Sequence, residues 1–298
     1  MTDKLSPDEL GDNERHDESE STCCEPIGNR PLAMKITSRD NSLLRRARAV
    51  RDGRIDDMIF VEGLRLCEEV LTSKLELEAV VYSDHIARKP RAAKVIEQLS
   101  IRARTSASVS EKLLESISYT KTPQGVVVLA TRPADNADNL LKGQTAKPLI
   151  VVLHETNNPV NVGAVMRTAE AAGATGIIAT ANTADPFSPK ALRGAMGSAF
   201  RLPVWNGVSL SEALAWCRAR KIQIICADVS AVRTFSDVEW RKPSALLVGR
   251  ESTGRSEAEL ASADLAVRIP MKGSAESLNV AVAAGVILYE AARQRAQN

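Results

Sequence analysis

Aromatic residues are scarce: Phe, Trp and Tyr make up 3% of the 298 residues. So few rings argue against a surface that reads nucleic acid by base stacking, and favour backbone and shape contacts instead. Cysteine is sparse as well. Cys23, Cys24, Cys67, Cys217 and Cys226 fall in no metal-ligand spacing, and an odd count in a leaderless chain reads as reduced thiols. His16, His85 and His154 are scattered, so no metal site is expected. No apolar run approaches the ~18–20 residues of a membrane span. The N-terminus has neither the basic start nor the apolar stretch of a secretory signal, so a cytoplasmic protein away from the membrane is expected. The dinucleotide fingerprint G-x-G-x-x-G follows no strand-like run, which disfavours a Rossmann dehydrogenase.

What is present is a chain of ordinary hydrophobic content, 44%, long enough for two globular domains. Its net charge of +2 hides an asymmetry. Residues 1–34 carry nine acidic side chains against three basic ones, which leaves that stretch at −6 and the remainder at +8. An anionic partner for the remainder is one reading of this, and a solvated basic surface is the other. Polar, acidic and aperiodic, residues 1–34 read as a disordered tail.

Past the tail, apolar periodicity organises the chain. Ser38-Arg39-Asp40-Asn41 offers helix caps before a stretch carrying Arg45, Arg46, Arg48, Arg51 and Arg54. Strands are predicted over residues 58–61, 77–82 and 125–130, and helices over 64–71, 92–99 and 109–114. This is a small alternating α/β domain over 35–132. Residues 133–147 concentrate Pro, Asn, Asp and Gly and read as a linker. From 148 to 298 a second α/β run follows, with strands over 149–153, 176–180, 222–227, 245–248 and 265–269. Helices are predicted over 161–172, 209–219 and 278–292. Such alternation predicts a mostly parallel sheet covered on both faces, with ligands beyond the carboxyl ends of the strands.

Three post-strand segments carry the chemical signal. The first is Asn157-Asn158-Pro159-Val160-Asn161-Val162-Gly163, continuing to Arg167-Thr168-Ala169. Asn158 is a natural cap and Pro159 suits a first turn, but neither explains Asn161 and Arg167 in a small, apolar helix. Gly163 and Arg167 share a face, so a backbone or ligand could approach beside the guanidinium. The second, Gly249-Arg250-Glu251-Ser252-Thr253-Gly254-Arg255-Ser256, nearly spells a phosphate-binding P-loop. Glu251 would sit badly among backbone N–H groups aimed at phosphate, and arginine does not replace the P-loop lysine. The third runs from Ile269-Pro270-Met271-Lys272 to Glu276-Ser277-Leu278-Asn279-Val280. There Ser277 is the candidate cap of the last helix.

In this order and after strands, these segments resemble the three motifs of the SpoU/TrmH methyltransferase family, over about residues 148–294. The first domain looks like the family's substrate-binding module, which is similar to small ribosomal RNA-binding proteins. It carries Phe60-Val61-Glu62-Gly63-Leu64-Arg65 and Thr122-Pro123-Gln124-Gly125-Val126. The resemblance implies a C-terminal trefoil-knotted, parallel-sheet α/β methyltransferase domain with a smaller N-terminal α/β RNA-binding domain. It further implies a homodimer that binds S-adenosylmethionine in the knotted loops and methylates a ribose 2′-hydroxyl. The RNA is expected to be 23S ribosomal RNA first and transfer RNA second.

By position, Arg167, Asn161, Glu251, Ser277 and Asn279 would form the catalytic set. Thr180, Gly249, Ile269, Met271 and Leu278 would line the cofactor pocket, and Arg45, Arg46, Arg48, Arg65 and Arg193 would meet RNA. A guanidinium normally stays charged, so Arg167 is expected to position and stabilise the developing alkoxide, with a further role as base left open. Ser252 and Ala195 depart from the family's usual glycine and serine, which bears on loop and RNA contacts. A non-catalytic RNA-binding relative is the rival reading; it would have no need of the catalytic set.

Overall fold

The structure, a computed structural model, describes residues 33–142, 147–249 and 262–297. The expected acidic tail lies outside these residues except at its end, where Met34 already opens a strand. The first half runs β1 (Met34–Ile36), α1 (Ser42–Arg51), β2 (Met58–Glu62), α2 (Leu64–Thr72), β3 (Leu77–Ser83), α3 (Pro90–Arg102), β4 (Ala103–Val109), α4 (Glu111–Ile117) and β5 (Val126–Thr131). Its sheet has the order β1-β4-β3-β5-β2, with β5 antiparallel to both β2 and β3. Local chemistry starts the helices: Asn41 accepts from the Leu43 amide, Ser110 from that of Leu113, and Pro90 opens α3.

One predicted helix starts two residues late here. Residues 109–114 were expected to be helical, but Val109 ends β4, Ser110 caps, and the helix is α4. Strand β4 is Ala-Arg-Thr-Ser-Ala-Ser-Val, weak in intrinsic β character. It is held by parallel neighbours on both sides, β1 and β3.

The second half runs β6 (Leu149–His154), α5 (Pro159–Ala171), β7 (Gly176–Thr180), α6 (Pro189–Ala195), β8 (Val204–Val208), α7 (Leu210–Ala219), β9 (Gln223–Ala227), β10 (Arg233–Thr234), β11 (Ser244–Gly249), β12 (Leu265–Arg268) and α8 (Val280–Ala296). Among the described residues its sheet has the order β10-β12-β9-β11-β6-β7-β8, every pair parallel. Central strands β6 and β7 are buried throughout, as expected for a sheet covered on both faces. The last helix begins two residues later than expected. Asn279, not Ser277, is its cap, with Oδ1 accepting from the Ala281 amide at 2.9 Å.

The two halves form one body. A single buried apolar cluster takes in Ile59 and Leu66 from the first and Leu192 and Ala195 from the second. Arg201 bridges Glu69 of α2 (2.5 Å) and Glu170 of α5, and Glu170 also accepts from the Ser198 hydroxyl at 2.7 Å. The guanidinium beside it lowers the pKa of Glu170. Within the stretch expected to be a linker Leu140 is fully buried, and Arg132 just before it pairs with Asp185 at 2.6 Å.

Candidate active site

Strands β9, β11 and β12 end side by side, and beyond their carboxyl ends lies a cavity of about 540 Å3. Its wall includes Gly249, Ile269, Met271, Ser277, Leu278 and Asn279, so most of the second and third sequence segments meet here. Ala227, Asp228, Val248, Val267, Glu276 and Ile287 complete much of the lining and were not singled out in the sequence. Asp228 had a usable signal, as a carboxylate directly after a strand of a parallel sheet. The size suits a small-molecule ligand.

Gly249 is required at its position. It has φ +130°, and a Cβ there would lie 2.0 Å from the carbonyl oxygen of its register partner His154. The ends of β6 and β11 therefore touch backbone to backbone, which only glycine allows.

Thr180 is not in the cavity wall. It ends β7, two strands from β11, roughly 10 Å across the sheet. Its buried hydroxyl meets His154 Nδ1 at 2.9 Å. The assignment of Thr180 to the cofactor pocket is therefore not matched by its place in the fold.

Asn161 and Asn279 join the first and third segments directly. Asn279 Nδ2 donates to Asn161 Oδ1 at 3.2 Å while its own Oδ1 caps α8. Asn161 is buried, one turn into α5, and that helix starts where Asn158 accepts from the Val160 amide. Arg167 lies further along α5, exposed, with its guanidinium in no hydrogen bond or ion pair among the described residues. It does not line the cavity. Glu251 falls outside the described residues.

Helices α5 and α8 also expose apolar side chains. Val160 on α5 and Leu278, Val282, Val286 and Tyr289 at and along α8 are all exposed. The two helices pack closely: a Cβ at Gly285 would sit 3.4 Å from the Thr168 methyl.

The arginines expected to meet RNA divide into two groups. Arg46 is paired with Glu78 at 2.9 Å, and Arg48 donates to the Arg39 carbonyl at 2.9 Å. Arg45, Arg65 and Arg193 are exposed. The last two line a second, smaller cavity where the halves meet. Among the described residues no cluster of His, Cys, Asp and Glu could hold a metal, and no helix is long and apolar enough to cross a membrane.

Comparison with known proteins adds identity to this geometry. Residues 148–289 match the model of the SpoU rRNA Methylase family, and residues 45–128 match the MRM3-like substrate binding domain. The chain is 35% identical to a 23S rRNA (uridine(2479)-2'-O)-methyltransferase of Streptomyces viridochromogenes, over 66% of this chain and 69% of that protein. It is 31% identical to an uncharacterized tRNA/rRNA methyltransferase of Synechocystis sp., over 87% of this chain and 94% of the relative. Among solved structures, an AdoMet-bound rRNA methyltransferase from Sinorhizobium meliloti superposes with a TM-score of 0.76 at 29% identity, covering 88% of this chain and 98% of its own. The SpoU methyltransferase AviRb from Streptomyces viridochromogenes, in complex with AdoMet, gives 0.75 at 29% identity, covering 87% and 99%.

Proposed function

This chain belongs to the SpoU methylase family, and from that premise we propose that it transfers a methyl group from S-adenosylmethionine to a ribose 2′-hydroxyl of RNA. The observation that carries this reading is the cavity beyond β9, β11 and β12, walled by residues of two motif segments and tied to the third by the Asn161–Asn279 hydrogen bond. Its chemistry fits the donor. Val248, Val267, Ile269 and Leu278 offer an apolar slot for an adenine ring, and the carboxylates of Asp228 and Glu276 suit a cationic ligand that bears hydroxyl and ammonium groups. When bound, the donor supplies an electrophilic methyl group.

The chain's own residues do the rest. A ribose hydroxyl is a poor nucleophile and must lose its proton as the bond forms. Arg167, held on α5, stabilises the oxygen as negative charge develops on it. Asn161 and Asn279 fix α5 against the start of α8, so the donor's wall and the helix bearing Arg167 keep one geometry. Ser277 is free of the capping role and available to substrate or donor.

Val160 of α5 and Val282, Val286 and Tyr289 of the adjoining α8 are exposed, and we assign this apolar surface to a second copy of the chain. The C-terminal trefoil knot, the division of the chain near 133–147 and a cytoplasmic location belong to the same proposal. 23S ribosomal RNA is the proposed substrate, supported by the naming of the Streptomyces relative. Calorimetric titration with S-adenosylmethionine tests the reading, and mapping of 2′-O-methyl positions in total RNA with and without the gene identifies the nucleotide. Absence of donor binding would favour the non-catalytic rival.

A further inference from the structure

A second cavity, of about 260 Å3, opens where the two halves meet, lined by Glu62, Gly63, Arg65, Thr120, Gln124 and Arg193 among others. Arg65 comes from α2 and Arg193 from α6, and both are exposed. Neither has a hydrogen bond or ion pair among the described residues, unlike Arg46, Arg48, Arg51, Arg102, Arg132, Arg201 and Arg295. Glu68, itself bonded to Arg91, feels the charge of Arg65, but beside the cavity the two guanidiniums still repel each other unless an anion joins them. Glu62 is not that anion. It is buried, and its carboxylate is held by the Tyr119 amide (2.8 Å) and by the Thr120 hydroxyl (2.8 Å) and amide (3.3 Å). With Glu62 counted, the lining still carries a net positive charge.

The position of Arg193 is mechanically linked to α5. A Cβ on Gly163 would lie 2.3 Å from the Ala191 carbonyl oxygen and 2.9 Å from Gly194 Cα, so α5 and α6 are in backbone contact. On the other side, Arg201 clamps α2 to α5 through Glu69 and Glu170. Both walls of the junction cavity are thus held on the helix that carries Arg167.

We propose that this junction is a phosphate-binding site in which Arg65 and Arg193 together grip one phosphodiester of the RNA, setting the register between the strand and Arg167. The proposal rests on the methyltransferase reading for the role of Arg167, but not for the existence of the site. Arginine suits the task because its planar fork can hold phosphate oxygens in pairs.

The test uses the full chain and a short fluorescein-labelled RNA hairpin, followed by anisotropy from about 50 to 200 mM salt. Arg65→Ala and Arg193→Ala are each expected to weaken binding about tenfold at low salt. The log–log salt slope should change little in either single variant, because the remaining arginine still neutralises the same phosphate, and should flatten by about 0.7–0.9 in the double variant. The double variant should lose less than the product of the single losses, since both groups hold one phosphate. Arg→Lys at either position should recover only part of the affinity lost in the alanine variant. Wild-type affinity in both alanine variants would overturn the proposal, as would an unchanged slope in the double variant, fully multiplicative losses or lysine variants as weak as alanine ones. Donor titration of the same proteins separates the two readings: an unsubstituted chain that binds hairpin but no S-adenosylmethionine would sink the methyltransferase reading and leave the junction site standing.

Discussion

Helix α1 carries four arginines in ten residues, whereas α5 carries one in thirteen. The dense set is largely committed to the protein itself. Arg46 pairs with Glu78, Arg48 holds the Arg39 carbonyl, and Arg51 binds Asp52 and the carbonyls of Ser116 and Ser118. The lone arginine of α5 is committed to nothing among the described residues. A guanidinium with five donors in a fixed fork is an efficient structural clasp, so a count of arginines overstates the charge left for a partner. What marks a candidate for chemistry is a cation that the fold leaves unpaired beside buried, ordered polar groups.

The comparison breaks most visibly if Arg167 proves dispensable. Arg167→Ala is expected to lower kcat by about a thousandfold, the scale of losing a group that stabilises developing charge. Donor affinity, measured by calorimetry, should stay within about twofold, because Arg167 does not line the donor cavity. Near-normal turnover would remove the residue from the reaction. At the opposite pole is Arg295, near the end of α8. Its guanidinium donates to the carbonyls of Lys147, Pro148, Trp240 and Lys242, gathering the starts of β6 and β11. Burial lowers its pKa, yet every bond it makes is structural. Arg295→Ala should cost about 2–3 kcal/mol through orphaned carbonyls. The loss would be read as a fall of several degrees in Tm with donor affinity little changed.

A smaller effect is expected at Asn279, where one side chain serves both fold and site. Asn279→Ala removes the cap of α8, about 1 kcal/mol, whereas Asn279→Ser keeps it. Both lose the hydrogen bond to Asn161. If the bond matters for the donor cavity, both variants should bind S-adenosylmethionine more weakly although only the alanine variant melts earlier. Donor affinity that follows Tm instead would reduce Asn279 to a cap.

How much of this was legible in the sequence depended on how local the cause was. Helix α5 was readable from Asn158-Pro159 and a run of small residues, because cap and first turn are set within three residues. The cavity beyond β9, β11 and β12 was readable as loops after strands, since parallel sheets expose ligands there. The choice of Asn279 over Ser277 as cap was not readable: both side chains can cap, and the decision lies in where α8 docks. Strand β4 was missed because its neighbours, rather than its own side chains, hold it in the sheet. The Arg201–Glu69 clamp joins residues 132 apart in sequence, and no periodicity announces such a pair. The place of Thr180, two strands away from β11, was hidden for a similar reason, since strand order decides which strand ends adjoin the cavity.

The finest test of paired against unpaired arginine lies within α1, between adjacent residues. Arg45 is exposed and has no partner among the described residues, while Arg46 is bonded to Glu78. Arg45→Ala should flatten the salt slope of hairpin binding by about 0.7–0.9, the signature of one lost phosphate contact. Arg46→Ala should leave that slope unchanged, because its charge is already balanced within the protein. It should also change stability by no more than about 0.5 kcal/mol, as expected for a pair near the surface. Glu78 would not be left alone, since Arg104 stands 3.3 Å from its other oxygen. Equal slopes for the two variants would mean that α1 presents its charge to RNA as an undivided patch, and the distinction drawn between the two helices would then fail at its most favourable point.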